Sequence, residues 1–496
     1  MNVVFILSDQ HNARLTGCYG HPLAETPHMD RLAAEGTRFD FTYTNCPICV
    51  PARAVMFTGR YVFENGCWDN TAPWDGRQEG WSHYFRENDI ELTTVGKLDF
   101  KTDCDHGIGH EINASHRGSF DIHALYREQP ITVRWNKWTQ MQQSGPRTDL
   151  DMEFHHDFHN TTRAIEWLDN EQPQDKPWVL NLNLSQPHPG WPCPPELWAK
   201  WDPRIKVKDI PASFKEELEH LHPYNLDMAR HQTGAFADEE LVRRCYAAYL
   251  AHIEMTDINV GRMLEALEKR KLLKDTLVIY SSDHGETCGE HKTFGKMSPF
   301  EGSVRVPLIM RGPGIKAGQV ETSPVSHLDI FPTICEAIGL GQPAEFRGIS
   351  LWGQLKGAKD ARRNDFVFSE YHCNAYRGGW FTVSDGKMKY VEMVGERPMI
   401  FDLEHDPDEM HDWIIEKPEA SETHDVIQAF RAWLGTLCNP QAVDLRAKAD
   451  QASLRGALQR TGQLEKEIYK RGYEPYTDML INRLETIPEE FRENYK

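Results

Sequence analysis

The sequence predicts an α/β protein in which a large mixed, mostly parallel sheet is sandwiched by helices, followed by a smaller α+β domain that carries an antiparallel sheet. Short aliphatic runs alternate with amphipathic stretches along most of the 496 residues, which is typical of a sheet layered by helices. After about residue 355 the sequence changes to short strands and turns. We therefore divide the chain into a large domain (1–355), a small domain (356–440) and a helical tail (441–496).

Four nearly continuous apolar runs predict strands that are buried on both faces. They are VVFIL (3–7), WVLNLNL (178–184), TLVIYSS (276–282) and VPLIM (306–310). Apolar residues at helical spacing between Tyr246 and Leu267 predict one long helix before the third run. TPHMDRLAAEG (26–36) begins with Thr-Pro and ends with Gly, which is typical of a short helix. Asp385-Gly386 predicts a hairpin in the small domain.

Charge and composition exclude some classes of function. The formal net charge is −20, whereas nucleic-acid binding needs a basic face, so we expect no nucleic-acid partner. No run approaches the roughly 20 apolar residues that span a bilayer, so we expect no membrane partner. The first residues lead directly into a strand rather than into a signal segment. This makes the cytoplasm the expected compartment, or the periplasm if a leader was removed.

The cysteines and the C-terminal tail carry weaker signals. Eleven scattered cysteines predict reduced thiols rather than a disulfide framework. Residues 441–496 are charged and helix-favouring, which predicts a solvated helical tail or a contact in a homo-oligomer.

Polar residues follow two predicted strands at the points where they end. Asp9 and Gln10 follow the first strand, and Asp283 and His284 follow the TLVIYSS strand. Ligand sites in open α/β sheets gather beyond the carboxyl ends of strands, so these two pairs can meet and bind a divalent metal. The oxygens favour Ca²⁺, the imidazole leaves Mn²⁺ open, and Mg²⁺ is a third option. Each Asp taken alone is also a common turn former or helix cap.

Six motifs, in order along the chain, resemble those of the type I, formylglycine-dependent sulfatases of the alkaline phosphatase-like superfamily. The most specific is CVPARAVMFTGRY (49–61), which resembles the C-x-P-x-R signature of that family. The others are GKLDF (96–100), QPHPG (186–190), SSDHGE (281–286), GKMSPFEGSVRVPLIM (295–310) and FDLEHDPDEMHD (401–412). The resemblance implies that residues 1–355 form the catalytic domain of a sulfuric-ester hydrolase.

The resemblance also implies how the nucleophile is made. Cys49 would be oxidised by a formylglycine-generating enzyme to formylglycine (3-oxoalanine), the catalytic aldehyde, and Pro51 and Arg53 would be recognised during that maturation. Once converted, residue 49 would also belong to the metal site. A helix that begins near Cys49 would direct its dipole at an anionic oxygen there, and Arg53 lies one turn further on.

Three cationic residues would surround the sulfate if the resemblance holds. Lys97, His188 and Lys296 match the family's charged residues, where fixed charges stabilise the transition state. In that scheme His188 or Lys296 protonates the leaving alcohol.

Two positions depart from the family pattern. Residue 10 is Gln where many sulfatases have Asp, a feature that choline sulfatases and phosphonate monoester hydrolases share. Asp99 replaces a histidine and would repel sulfate unless Lys97 neutralises it or it acts as a base in the elimination step. His106, His110 or His116, in the following loop, could fill the place of the missing histidine.

The pattern of motifs most resembles the arylsulfatase K branch, which removes 2-O-sulfate from glucuronate units. It therefore implies a sulfated mono- or oligosaccharide as substrate, in which the group removed is a hexuronate 2-O-sulfate, and a role in glycan degradation. We expect residues 99–150, including His106 and His110, and SEYHCNAYRGG (369–379) to select the substrate. In the second segment the candidates are His372, Asn374 and Arg377.

Two further functions remain open at this point. A phosphonate monoester or phosphodiester hydrolase, or another arylsulfatase, would use the same scaffold, since tetrahedral anions suit the same site. A non-catalytic binding protein would keep the fold and leave Cys49 a thiol.

Overall fold

The computed structural model describes residues 1–118, 122–125, 127, 134–358, 362–373, 376–464 and 466. The strands are β1 (Asn2–Ser8), β2 (Thr37–Phe39), β3 (Thr42–Tyr43), β4 (Glu91–Lys101), β5 (His110–Arg117), β6 (Gly145–Pro146), β7 (Trp178–Asn183), β8 (Pro192–Cys193), β9 (Thr276–Ser282), β10 (Arg305–Val306), β11 (Leu308–Arg311), β12 (Gln319–Glu321), β13 (Val325–Ser326), β14 (Val367–Tyr371), β15 (Trp380–Ser384), β16 (Met388–Met393) and β17 (Met399–Asp402).

The α-helices follow in the same way. They are α1 (Pro27–Ala34), α2 (Cys49–Thr58), α3 (Val62–Asn65), α4 (Trp81–Glu87), α5 (Trp135–Gln142), α6 (His156–Asn170), α7 (Pro195–Trp201), α8 (Pro223–His231), α9 (Glu239–Lys269), α10 (Glu301–Val304), α11 (Ile330–Ile338), α12 (Trp352–Leu355), α13 (Trp413–Glu416), α14 (Pro418–Thr423), α15 (Asp425–Leu437) and α16 (Pro440–Arg460). The long helix predicted before TLVIYSS is α9, and the short helix predicted at 26–36 is α1.

The large sheet has eight strands in the order β12-β2-β11-β9-β1-β7-β4-β5. All neighbours from β9 to β5 are parallel, and β11 is antiparallel to both β9 and β2. The predicted mixed, mostly parallel sheet is therefore confirmed.

Helices cover both faces of this sheet, as the continuous apolar runs predicted. In β1, Val3, Phe5 and Leu7 pack in one cluster with side chains of α2, α4 and α11. Val4 and Ile6 point the other way and pack with side chains of α1, α6 and α9. The period-two alternation of a strand thus gives both faces an apolar surface.

The smaller sheet is antiparallel, in the order β14-β15-β16-β17. Its β15–β16 hairpin turns at the predicted Asp385-Gly386, where Gly386 has a φ of 84°. One face packs against α15. A buried ion cluster joins this sheet to helix α10, since Lys389 of β16 contacts Glu301 of α10 (3.1 Å) and Glu409. Domain boundaries at 355 and 440 stay a prediction.

Helix α16 corrects the prediction of a solvated tail over its described length. Asp444 of α16 forms an ion pair with Arg127 (2.6 Å), and Asp450 accepts a hydrogen bond from Trp68 Nε1 (2.8 Å). Gln451 Nε2 donates to the backbone oxygen of residue 372 (2.7 Å). The helix lies against the body of the protein because these polar pairs and buried Ala447 and Leu458 hold it there. Residues 467–496 lie outside the described residues, and the homo-oligomer stays a prediction.

No disulfide joins the cysteines of the described residues, in agreement with the predicted reduced thiols. A search of the described helices found none with the length and apolar character needed to cross a bilayer.

Candidate active site

Four adjacent parallel strands end at the same edge of the large sheet and bring the predicted motifs together. Asp9 and Gln10 follow β1, and Asp283 and His284 follow its neighbour β9, with Ser8 opposite Ser282 in the register. The backbone nitrogen of Asp9 donates to the oxygen of Gln186, which follows β7 (3.2 Å). The parallel register therefore closes a gap of more than 270 residues in sequence.

Two carboxylates, one imidazole and one thiol form the centre of the site. Asp9, Cys49, Asp283 and His284 are fully buried, and one ligand atom from each lies within 4.8 Å of the others. His284 Nε2 is 3.8 Å from Asp9 Oδ1 and 3.5 Å from Asp283 Oδ1. His284 Nδ1 lies 3.1 Å from the oxygen of Gly285, so this nitrogen carries the proton and Nε2 keeps its lone pair. Buried oxygens and a free imidazole nitrogen fit a divalent cation.

The side chain of Gln10 is oriented by a carboxylate that our sequence analysis did not assign. Gln10 Nε2 donates to Glu286, and Gln10 Oε1 accepts from Lys296 Nζ (2.9 Å). Because Glu286 holds the amide nitrogen, the amide oxygen is turned towards the site. The backbone of Gln10 has a φ of 70°, an uncommon conformation for this residue type, and its carbonyl accepts from Tyr249 Oη (2.6 Å).

Cys49 is the first residue of α2, as the sequence predicted. Its Sγ is 2.8 Å from Lys296 Nζ, 3.3 Å from His284 Nε2 and 3.9 Å from Asp9 Oδ1. Burial and Asp9 raise the pKa of the Cys49 thiol, but the positive charges of Lys296 and Lys97 are the main opposing effects and the net shift is downward. The site thus favours an anion at this position.

Arg53 contacts the two carboxylates. Its Nε donates to Asp283 Oδ2 (3.0 Å), and its Nη2 is 3.6 Å from Asp9 Oδ2. Its Nη1 donates to the backbone oxygen of Lys97 (2.5 Å). Burial lowers the pKa of Arg53, but the negative charges of Asp283 and Asp9 raise it by more, so the net shift is upward. Nη2 is buried and has no hydrogen-bond partner among the described residues, which leaves one donor for a ligand.

Lys97 and Arg117 together neutralise Asp99. Asp99 Oδ2 is 3.3 Å from Lys97 Nζ, and Asp99 Oδ1 is 2.9 Å from Arg117 Nε. Burial raises the pKa of Asp99, but Lys97 and Arg117 lower it by more. Asp99 also has a φ of 62°, which Asp tolerates better than most residues. Of the two roles that the sequence left open, this geometry favours neutralisation.

His188 and Lys296 lie on loops that follow β7 and β9. Asp157 of α6 accepts hydrogen bonds from the backbone nitrogens of Ser185 and Gln186 (2.8 Å each) and so fixes the chain that leads to His188. His188 Nδ1 lies 2.9 Å from the oxygen of Pro189. Burial and Lys296 hold the pKa of His188 well below its usual value, so the ring is neutral near pH 7.

A further lysine, which the sequence analysis did not single out, lies beside these loops. Lys137 of α5 lines a small pocket with Pro189, Gly190 and Gly295, which flank His188 and Lys296 in sequence. Burial, Arg134 and Lys296 lower the pKa of Lys137 to about 7. A lone lysine on a short helix gives no sequence signal, so only the fold identifies it.

Other predicted residues lie elsewhere. His106 is buried between Trp74 and Phe100, and His110 lies at the start of β5, the end opposite to the active-site edge. His372 is fully buried, with Nε2 2.7 Å from Glu370 Oε2, so it presents no surface to a substrate. Arg377 is exposed, and Asn374 lies outside the described residues.

These features define the class of protein. A reactive side chain at a helix N-terminus faces a buried metal-type centre and several cations, at the carboxyl edge of a mostly parallel sheet flanked by helices. These are the parts of a hydrolytic centre for an anionic substrate on a layered α/β fold.

Comparison with known proteins gives the family. The family model described as "Sulfatase" matches residues 1–340, and that described as "N-sulphoglucosamine sulphohydrolase, C-terminal" matches residues 289–434. The chain is 33% identical to arylsulfatase K of Mus musculus over 440 residues, which cover 84% of this chain and 77% of the relative. The chain therefore belongs to the sulfatase family and is a sulfuric-ester hydrolase.

Solved structures share the fold. A 2-O GAG sulfatase superposes with a TM-score of 0.68 at 22% identity, covering 91% of this chain and 93% of that one. The phosphonate monoester hydrolase of Agrobacterium radiobacter superposes with a TM-score of 0.70 at 23% identity, covering 91% and 96%.

Proposed function

We propose that the protein removes sulfate from a sulfated glycan, using a formylglycine made from Cys49 and a Ca²⁺ ion held by Asp9, Gln10, Asp283 and His284. The observation that carries the proposal is the position of Cys49. It lies at the N-terminus of α2, against Lys296 Nζ (2.8 Å) and the metal-type group. A thiol with only a packing role would not need these charges around it.

The metal ion and the modified side chain would each supply one kind of chemistry. A divalent cation held by Asp9, Gln10, Asp283 and His284 would supply Lewis-acid chemistry and positive charge for the sulfate. Conversion of Cys49 to formylglycine replaces the thiol with an aldehyde, whose hydrate is a nucleophile. Ca²⁺ is proposed because three of the four proposed ligands are oxygen donors.

The protein's own cations bind and orient the sulfate. Lys97 and Lys296 provide fixed positive charge in a buried site, where a charge acts more strongly than in water. The Nη2 of Arg53 lies near Asp9 but makes no hydrogen bond within the described residues, so it is available to a sulfate oxygen or to the modified side chain. Because these donors are held before the substrate arrives, little reorganisation is needed in the transition state.

The leaving alcohol needs a proton. His188 is neutral and its Nδ1 faces a carbonyl oxygen, so it acts first as a hydrogen-bonding group; an anionic substrate would raise its pKa. Lys137 has a pKa of about 7 and is well matched to proton donation near neutral pH. We propose Lys137 or Lys296 as the donor.

A hexuronate 2-O-sulfate is the substrate that we propose. The support is the likeness to arylsulfatase K and to a 2-O GAG sulfatase. The exposed Arg377 is available to a substrate carboxylate, whereas the buried His372 is left out of the proposal.

A phosphonate monoester hydrolase is the second candidate, because a structure of that activity shares the fold and tetrahedral anions suit the same cations. Turnover of aryl sulfate, aryl phosphonate and a 2-O-sulfated uronate disaccharide by matured protein decides between them. A preference for the phosphonate would reject the sulfatase proposal. Peptide mass spectrometry should find residue 49 as formylglycine in active protein, and an unmodified thiol in fully active protein would reject the proposed nucleophile.

A further inference from the structure

A cleft with a volume of about 610 Å³ lies at the carboxyl ends of β4 and β5. β4 ends at Lys101 and β5 at Arg117, and these two residues are partners in the parallel register. Both residues line the cleft. Its volume falls within the roughly 300–1,000 Å³ of pockets that bind small molecules. The carboxyl edge of the sheet is also where ligand sites gather in open α/β folds.

The cleft borders the active site through Asp99. Arg117 of the cleft has its Nε 2.9 Å from Asp99 Oδ1, and Asp99 Oδ2 lies 3.3 Å from Lys97 Nζ. The guanidinium group that lines the cleft is therefore two contacts away from an ammonium group that binds sulfate in the proposed mechanism.

The loop after Cys67 borders the active site on a second side. Asn70 Oδ1 accepts a hydrogen bond from the backbone nitrogen of Val50, the residue that follows Cys49 (3.2 Å). The next residue of the loop, Thr71, lines the cleft. A substrate bound at Cys49 thus has the cleft as its neighbour along two separate segments of the chain.

Helix α16 forms one wall of the cleft. Three of its apolar residues line it: Leu454, Ala457 and Leu458. The helix is fixed to the loop just described, because Gln451 Nε2 donates to Asp69 Oδ2 (2.7 Å) and Asp69 Oδ1 accepts from the backbone nitrogen of Thr71 (2.7 Å). The helix lies beyond residue 434, where the match to the second family model ends. This wall is therefore built by a segment outside both family models.

The cleft is cationic in a protein whose formal net charge is −20. Its charged lining residues are Arg77, Lys101, Arg117 and Asp75. Arg77 is paired with Asp75 (2.6 Å) and Arg117 with Asp99. Lys101 has no such ion pair within the described part of the chain, so its charge is available to an anionic ligand.

We propose that this cleft binds a second, anionic sugar unit of the glycan, next to the unit whose sulfate is removed. Lys101 faces the sulfate or carboxylate of that second sugar, and the apolar residues of α16 pack against its ring. The inference rests on the proposed function, because it takes the substrate to be a sulfated glycan. It also narrows the expectation that residues 99–150 select the substrate, since Lys101 lies in that segment.

Two disaccharides that differ in one group test the proposal. Both carry the 2-O-sulfated uronate, and only one carries a sulfate on the second sugar. Matured wild type should favour the doubly sulfated disaccharide in kcat/KM by about 5- to 10-fold, the effect of one partly exposed contact between charged groups. Lys101→Met should lose most of this preference through KM, whereas Lys448→Met, which removes a lysine of α16 outside the cleft, should keep it.

The wall formed by α16 is tested by a matched pair of substitutions. Ala457→Glu should lower kcat/KM for the doubly sulfated disaccharide by more than Ala457→Gln does. The two new side chains have nearly the same size, so the difference between them reports the repulsion between carboxylate and sulfate. Equal effects of the two substitutions would overturn the placement of the second sugar against α16.

Binding to a variant without the nucleophile separates this inference from the proposed function. Calorimetry with Cys49→Ala should show the same preference for the doubly sulfated disaccharide, and Cys49→Ala combined with Lys101→Met should not. If wild type hydrolyses neither disaccharide, the proposed function fails, and the calorimetric preference still decides whether the cleft binds an anionic sugar. The inference is overturned if the second sulfate gives no preference, or if Lys101→Met retains it.

Discussion

Replacement of Lys97 by methionine tests whether one ammonium group serves both catalysis and the balance of buried charge. Lys97 Nζ contacts Asp9 and lies 3.3 Å from Asp99 Oδ2. Methionine keeps the apolar stem and removes the charge. We expect kcat to fall about 10²- to 10³-fold, the usual effect of removing one donor that stabilises transition-state charge.

The stability effect follows from the same distance. At 3.3 Å and an effective dielectric constant of about 20, the Coulomb attraction between Lys97 and Asp99 is roughly 5 kcal/mol. Desolvation of both groups offsets most of it, and Asp99 keeps Arg117 at 2.9 Å. We therefore expect a coupling energy of about 1–3 kcal/mol between Lys97 and Asp99.

A double-mutant cycle measures both effects. Lys97→Met, Asp99→Asn and the double variant are compared by urea unfolding and by turnover of para-nitrophenyl sulfate. Asp99→Asn in the Lys97→Met background should recover stability but not turnover. Lys101→Met, an exposed lysine on the same strand, should change stability by less than about 0.5 kcal/mol. The reasoning fails if Lys97→Met retains full turnover, or if Asp99→Asn alone loses as much turnover, which would make Asp99 the base.

Three further predictions each concern one buried side chain. Glu286→Gln should weaken Ca²⁺ binding about 10- to 100-fold, because the amide of Gln10 loses the carboxylate that orients it. Titration calorimetry measures the Ca²⁺ affinity. The control is Glu290→Gln, which changes another buried glutamate of the same loop and should leave the affinity unchanged. Lys137→Met should remove the alkaline limb of the kcat profile near pH 7, and an unchanged profile contradicts its role as proton donor. Burial lowers the pKa of His252 from 6.5 to about 4, so between these values the unfolded chain binds a proton that the folded protein does not, and stability falls on acidification. Relative to His252→Gln, the free energy of unfolding of the wild type should fall by about 1.4 kcal/mol per pH unit in that window. Plots of unfolding free energy against pH that run parallel for the two proteins would contradict the lowered pKa.

Residues that follow buried strands could be predicted from sequence alone. Asp9 and Asp283 come directly after continuous apolar runs, and parallel strands end at one edge, so their meeting was foreseeable. Cys49 was foreseeable because helix-start chemistry and a specific motif coincide there. Their catalytic and metal-binding roles stay predictions.

The small-domain histidine shows the limit of this reasoning. His372 lies in SEYHCNAYRGG (369–379), a segment that the resemblance suggested for substrate selection. The fold instead buries it beside Glu370, whose carboxylate is 2.7 Å away. Periodicity indicates that a position is near the end of a strand, but it does not indicate which elements pack over that end.

The sequence by itself determined the sheet, the long helix α9, and the motifs at the strand ends, because local patterns of apolar residues and turn formers specify these features. Only the tertiary structure decided the charge balance of the site. It brought Arg117 to Asp99, Glu286 to Gln10 and Lys137 to the loop that carries His188, through contacts between different elements of the fold. Electrostatic effects depend on distance in space and on burial, and neither quantity can be read from the order of residues along the chain.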